Sequence, residues 1–512
     1  MTHMNKITYL PLTGIRLVVA TVALSLATFM QMLDSTISNV AIPTISGALG
    51  SSVDEGTWVI TSFGVANAIS IPITGRLALR FGELRLFIAS VSLFSLSSLC
   101  CGLATNLDLL IFFRVVQGLV AGPLIPLSQS LLLRNYPSEK RNLALALWSV
   151  TVIIAPIFGP IIGGYICDNL SWGWIFLINL PFGIFVIIAS MLSLSGRETE
   201  TAPVKINFIA LSLLALCVGC LQIMLDKGND LDWFNSNLVI CLAAISFASL
   251  ILYIIYEYTS EDRIIDFTLF GYRNFVIGIL SISGAYLIYS GAIVLMPQLL
   301  QEVYGYTSIW AGLAYSPIGL MPLILAPLIG KYGNRMDMRL LVTFSFLVYA
   351  GCYYWRSIAF NPDISFYAVI IPQFFQGFAV ACFFLPLTTI TLSGLSPDKF
   401  ASATSLSNFF RTLSGSIGTS LTMTLWSRRD SLHHSQLVEN VNNFNMIFNN
   451  YISTFESAGF TENQALSYLN SIIEKQSLLI SANEIFHLSS LIFLTLIIIV
   501  WFAKPPFNTT SN

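Results

Sequence analysis

The chain has 512 residues, 55% of them hydrophobic and 10% charged, against roughly 45–50% apolar and 25% charged in a soluble domain, which excludes an ordinary soluble enzyme. Its 24 Lys and Arg against 26 Asp and Glu leave a net charge of -2, so no basic excess is available to track a nucleic-acid backbone. A mean hydropathy of +0.76 over this length exceeds what one anchor of about 20 residues supplies, and the chain reads as a polytopic membrane protein.

Stretches long and apolar enough to cross a bilayer as helices lie at about 17–38, 57–75, 86–105, 109–132, 142–165, 174–194, 207–225, 237–257, 275–297, 309–330, 340–359, 366–393, 403–426 and 485–503. They predict fourteen spans. None alternates like an outer-membrane strand, and helices satisfy their own backbone groups in lipid, so the expected fold class is an all-α polytopic bundle. With a cytoplasmic N-terminus, the inner segments hold seventeen of the 24 Lys and Arg. The outer segments hold five (Lys227, Arg356, Arg428, Arg429 and Lys475), and Arg114 and Arg411 fall inside spans. The positive-inside rule then places both termini in the cytoplasm. The first span is too long for a signal-peptide core, so it is expected to stay in the membrane.

In chain order, Asp34 in span 1 is the only carboxylate well inside a predicted span. An acid in hydrocarbon costs several kcal/mol unless paired or neutralised, which makes it a proton-carrying candidate; the alternative is an acid at the outer mouth capping a turn. In span 4, Arg114 lies about 9 Å from the outer end and Asp34 about 6–9 Å from its own. A buried Arg needs a counter-charge or carbonyls, so the two are expected to pair or alternate. A carboxylate keeps its charge beside a guanidinium and tends to take up a proton in apolar surroundings, so movement of the Arg would load and release a proton. Gln31, Asn39, Gln117 and Gln129 supply polar groups for a mostly apolar substrate cavity.

Cys217 and Cys220 form a C-x-x-C in an apolar span with no His nearby, which reads as small buried residues rather than a metal or redox site. In span 13, Arg411 has three readings: an aid to anionic substrates, a partner of Glu302 at the outer mouth, or a donor to carbonyls. Residues 427–484 predict a long outer loop rich in Asn and Ser, with stretches such as 464–480 that fit an amphipathic helix. His433 and His434 within it read as solvated side chains, with no metal expected.

Arg114-Val-Val-Gln117-Gly118 resembles Gln373-Phe-Phe-Gln376-Gly377, 259 residues later, and the basic turn from Gly75 resembles that from Gly330, 255 residues later. Similar offsets suggest a parallel duplication: a six-helix half over 1–194, an inserted pair of spans over 195–258, and a second half with the long loop over 259–512. No G-x-x-x-x-G-K-[ST], catalytic Ser/His/Asp set or H-E-x-x-H is present, so the expected energy source is an ion gradient with no cofactor.

Leu33-Asp34-Ser35-Thr36-Ile37-Ser38-Asn39-Val40-Ala41-Ile42-Pro43, Ile111-Phe112-Phe113-Arg114-Val115-Val116-Gln117-Gly118 and Ala155-Pro156-Ile157-Phe158-Gly159-Pro160-Ile161-Ile162-Gly163-Gly164 resemble signatures of the major facilitator superfamily. They are most similar to its fourteen-span drug:proton antiporters of the EmrB-type multidrug exporter group. The resemblance implies a major facilitator fold and a proton-driven antiporter of the bacterial inner membrane that exports hydrophobic and amphiphilic drugs. It further implies a periplasmic membrane-fusion adaptor and an outer-membrane channel as partners, with the long outer loop facing the adaptor. It makes Pro156, Gly159, Pro160, Gly163 and Gly164 a hinge or seal of the antiporter motif, and Gly75, Arg80 and Gly82 residues of a cytoplasmic gate. That gating turn departs from its pattern, with Leu79 where an Asp is usual and Glu83-Leu84 where a basic pair is usual. The runner-up function is a coupled exporter of one metabolite, siderophore or lipid; the lack of catalytic clusters and the interior Asp and Arg argue against a membrane enzyme or receptor.

Overall fold

The computed structural model describes residues 11–202, 207–260, 263–332, 336–439, 441–442 and 446–507. The long helices are α1 Gly14–Leu49, α2 Trp58–Phe81, α3 Glu83–Gly102, α4 Leu107–Asn135, α5 Arg141–Asn169, α6 Trp174–Leu194, α7 Phe208–Lys227 and α8 Asn237–Thr259. They continue as α9 Arg273–Glu302, α10 Ile309–Tyr332, α11 Met338–Ala359, α12 Phe366–Leu392, α13 Phe400–Val438 and α14 Glu462–Val500. Among the described residues eleven are long and apolar enough to cross a membrane, and α5 makes a twelfth across a 41° bend between Arg141–Pro156 and Ile161–Cys167. The helices α11 and α13 complete about fourteen spans. Both carry more polar and charged residues, and both bury them against neighbouring helices, α13 against α9, α2 and α14.

The chain breaks where its residues demand it. Gly50 ends α1 at φ +68°, the left-handed region that only glycine enters freely. The Asn106 side chain accepts from Leu109 N–H at 2.8 Å to start α4, and Asn207 accepts from Ile209 and Ala210 to start α7. Both described ends of the chain lie at one end of the bundle: Leu12 N–H donates to Asn135 O at 2.9 Å, and Arg273 donates to Phe502 O at 2.8 Å.

The sequence echoes recur in the packing. A Cβ on Gly118 would sit 2.5 Å from Phe63 O of α2, and one on Gly377 would sit 2.9 Å from Ile318 O of α10. Gly75 of α2 approaches Ser402 Cα of α13 (3.1 Å from a built Cβ), while Gly330 of α10 approaches Leu143 Cα of α5 (2.8 Å). The first pair joins α4 to α2 and α12 to α10, whereas the second joins α2 to α13 and α10 to α5.

The membrane-crossing part of α1 ends at Asn39, close to the expected 38, while the helix itself runs on to Leu49 through Pro43. Two sequence expectations need correction. Arg356 is not in an outer segment; it is 1% exposed inside α11. The segment 427–484 is not a loop but mostly helix, because α13 and α14 each run on for 39 residues, about 58 Å at 1.5 Å per residue against a hydrocarbon core of about 30 Å. The short helix Met446–Ser457 connects them. Their protruding parts are joined by Arg429 to Glu484 at 2.7 Å, His433 to Glu484 at 3.2 Å and Trp426 Nε1–H to Leu478 O at 2.9 Å. The Thr461/Gln464 capping box begins α14, so the helix expected over 464–480 is present. Among the described residues no group of His, Cys, Asp and Glu could hold a metal.

Candidate functional site

Five helices of the first half converge on one buried ion pair. Arg114 Nη1 of α4 lies 2.6 Å from Asp34 Oδ2 of α1, and both side chains have no exposed surface. The guanidinium also donates from Nε to Val59 O of α2 at 3.0 Å and from Nη1 to Gln117 Oε1 at 2.8 Å. It stacks 4.2 Å over the Phe63 ring, with Phe176 at 5.4 Å. The other carboxylate oxygen, Oδ1, accepts from Asn179 Nδ2 of α6 at 2.7 Å and from Gln117 Nε2 at 3.2 Å. Ser98 of α3 accepts from both of those amides, at 3.0 and 2.7 Å.

Burying two charges costs several kcal/mol per ion unless geometry and further hydrogen bonds repay it. Here Asp34 has three donors. Two atoms of the site, Arg114 Nη2 and Asn179 Oδ1, lack a hydrogen-bond partner, and the first belongs to the group lying on aromatic rings. The arrangement can hold a charged pair in a water-free interior, and it can change state if Arg114 or the amides move away from Asp34.

The remaining expected residues fall in separate places. Gln31 Nε2 donates to Asn67 Oδ1 at 3.2 Å. Gln129 Oε1 accepts from Asn408 Nδ2 of α13 at 2.7 Å, a bond between the halves. Asn39 is exposed, away from the ion pair's sealed interior. Arg411 is 4% exposed and lies 5.3 Å from the Tyr286 ring centroid, without an ion pair to Glu302 or any other described residue.

Within the antiporter motif, Gly159 packs on Thr36 and Ile37, and a Cβ on Gly163 would sit 3.3 Å from Ile37 O. The motif thus presses on α1 within three residues of Asp34. Gly164 faces Ile309 of α10, and Pro156 ends the first arm of the α5 bend. The Pro160 side chain lies outside the described residues.

At the expected gate, Gly75 touches Ser402 across the halves. Gly82 has φ +91° and lies against the Glu198 carboxylate, so a side chain there meets both backbone strain and collision. Arg80 is exposed, its guanidinium 5.4 Å from the neighbouring Phe81 ring. Other charges organise this end: Glu83, 2% exposed, meets Arg134 at 3.0 Å and Ser130 at 2.7 Å. Glu198 accepts from Leu84 and Arg85 N–H at 3.0 and 2.8 Å, capping α3 from the end of α6. Both halves line a cavity of about 790 Å³ beside them.

Sequence reasoning missed Asn179, Ser98 and Phe63 of the ion-pair site, and Arg356. Asn179 stands near the start of α6; its signal was an amide one turn into a very apolar span. In the second half, Arg356 donates to Gln373 Oε1 at 3.0 Å and to Gln376, with the Tyr353 ring 5.2 Å away.

The family profile described as Major Facilitator Superfamily matches residues 24–419. The chain is 69% identical over 504 residues, 98% of each chain, to the Escherichia coli K12 protein named "Probable multidrug resistance protein EmrY". It is 59% identical over 498 residues, 97% of each, to the "Multidrug export protein EmrB" of the same organism. It is 48% identical over 501 residues, 98% of this chain and 99% of the other, to the "Fatty acid resistance protein FarB" of Neisseria gonorrhoeae. The fold also matches the crystal structure of the human organic anion transporter MFSD10 at TM-score 0.59, with 12% identity over 95% of this chain and 100% of that one, a likeness of fold alone. With its multi-pass helical bundle, the chain is a membrane transporter that belongs to the major facilitator superfamily and, within it, to the EmrB/EmrY type.

Proposed function

We propose that the protein is a proton-driven antiporter that exports hydrophobic and amphiphilic toxic compounds across the bacterial inner membrane by alternating access. The observation that carries this reading is the sealed pair of Asp34 and Arg114, an ionisable couple in hydrocarbon. A conformation that withdraws Arg114 leaves Asp34 to take a proton, and its return expels that proton. The likeness to EmrY and EmrB supports drug export, and the likeness to FarB supports amphiphiles among the cargo. The two halves rock about the contacts of Gly75 with Ser402 and Gly330 with Leu143, and the α5 bend at Pro156 serves as a hinge. The chain needs no cofactor. Its termini lie in the cytoplasm, as the positive-inside rule requires. The helical extensions of α13 and α14 project from the opposite end, where a periplasmic adaptor leading to an outer-membrane channel would dock.

The test is drug efflux in inverted vesicles, with and without a pH gradient, over a compound panel. Gradient-dependent efflux of several compounds, abolished by Asp34→Asn while the protein remains in the membrane, is expected. Full efflux by Asp34→Asn refutes the coupling scheme.

A further inference from the structure

The reading above leaves open what the cavity recognises, and Arg411 bears on it. Eleven residues into α13, Arg411 lies about 16 Å along the helix, near the middle of a hydrocarbon core of about 30 Å. It is 4% exposed. Glu302 forms no ion pair with it, and no carbonyl accepts from it among the described residues, so two of the three sequence readings fail. Its contact is the face of Tyr286, which continues into Phe384 at 5.7 Å, Tyr289 at 5.7 Å and Phe383 at 6.3 Å between ring centroids.

A small cavity of about 10 Å³, roughly one water's worth, opens at the guanidinium. Gln129 of the first half and Thr388, Ser407 and Asn408 of the second line it, with Ile282 on its apolar side and no carboxylate. The cavity sits where Asn408 bonds Gln129 across the halves, so rocking apart at this contact enlarges it. A buried cation without a counter-charge borders water or an anion, and the guanidinium fork matches a carboxylate in two parallel bonds. Arg356 adds a second buried positive charge to the same half, held by amides rather than an acid. The buried guanidinium of Arg114 thus meets an acid, while among the described residues those of Arg411 and Arg356 do not.

We propose that Arg411 is the subsite for the anionic head group of amphiphilic carboxylic acids, with the tail along Ile282 and Leu392, the apolar residues that line the same cavity. This deepens the export reading and rests on it for transport, yet binding can be tested without any gradient.

The full-length protein in phosphatidylcholine nanodiscs is titrated with dodecanoate, dodecanol and dodecyltrimethylammonium, following tryptophan fluorescence. Wild type is expected to bind dodecanoate at least tenfold more tightly than the other two. Arg411→Gln should lose that preference, leaving the uncharged and cationic probes within twofold, and Arg411→Lys should restore part of it. Equal binding of the three probes by wild type, no dodecanoate binding, or an unchanged preference in Arg411→Gln overturns the proposal. The wild-type comparison decides alone if Arg411→Gln does not fold. Vesicle efflux separates the two readings: a charge-selective site without efflux refutes export and keeps the subsite, while efflux with an Arg411-independent preference does the reverse.

Discussion

The two halves pack the same way and treat buried charge in opposite ways. In the first, Arg114 meets Asp34 at 2.6 Å with Gln117 beside it. In the second, the corresponding stretch puts Gln373 and Gln376 where Arg114 and Gln117 stand, and the guanidinium comes from Arg356 of α11 instead. Among the described residues, neither Arg356 nor Arg411 has a carboxylate. Duplicated packing thus preserves shape, through glycines such as Gly118 and Gly377, while the polar residues set into that shape are free to diverge. One half keeps a pair that can trade a proton; the other keeps standing positive charge.

The largest effects should come from breaking the paired side. Asp34→Asn is expected to abolish gradient-driven efflux; its Oδ1 can still accept from Gln117 and Asn179, while the stranded Arg114 lowers stability without preventing insertion. Arg114→Ala should also abolish efflux and lower stability by about 3–5 kcal/mol, since it strands a buried carboxylate; thermal unfolding of the purified protein measures this.

The shared packing is tested next. Gly118→Ala and Gly377→Ala should each cost about 1–3 kcal/mol by overpacking against backbone, with Gly118→Ala the worse because its Cβ would come to 2.5 rather than 2.9 Å from the facing carbonyl. Similar melting-temperature losses sharpen the idea of one repeated contact, and a loss at Gly118 alone would break it.

A smaller effect is expected at Arg356→Gln, about 1 kcal/mol or less, because removing this cation strands no acid. A loss as large as that of Arg114→Ala would mean the second cluster is paired after all. The smallest belongs to Arg429→Gln. Its contact with Glu484 is partly exposed on both sides, and about 0–1 kcal/mol, falling with added salt, is expected in a melt.

Much of the ion-pair site was legible because acids and guanidiniums are so costly in hydrocarbon that one of each stood out. Asn179 and Ser98 were not, since amides and hydroxyls are common in spans and no periodicity marks which of them faces a carboxylate. Arg356 was counted with the outer segment because it stands only three residues before the end of the predicted span at 359; its burial inside α11 is what the sequence does not show. The 427–484 segment was misread for a related reason. Hydropathy reports where lipid ends, whereas α13 and α14 continue as helices beyond it, held by Arg429, Glu484 and Trp426.

By itself the sequence determined the bundle, its count of about fourteen spans and the pairing candidates, because hydrophobic length and buried charge are local costs that composition and position expose directly. Only the tertiary structure decided which polar side chains surround Asp34, that Arg411 lies unpaired at the seam of the halves, and that Glu198 caps α3. Those facts depend on how helices distant in sequence are rotated against one another, which no single stretch of chain encodes.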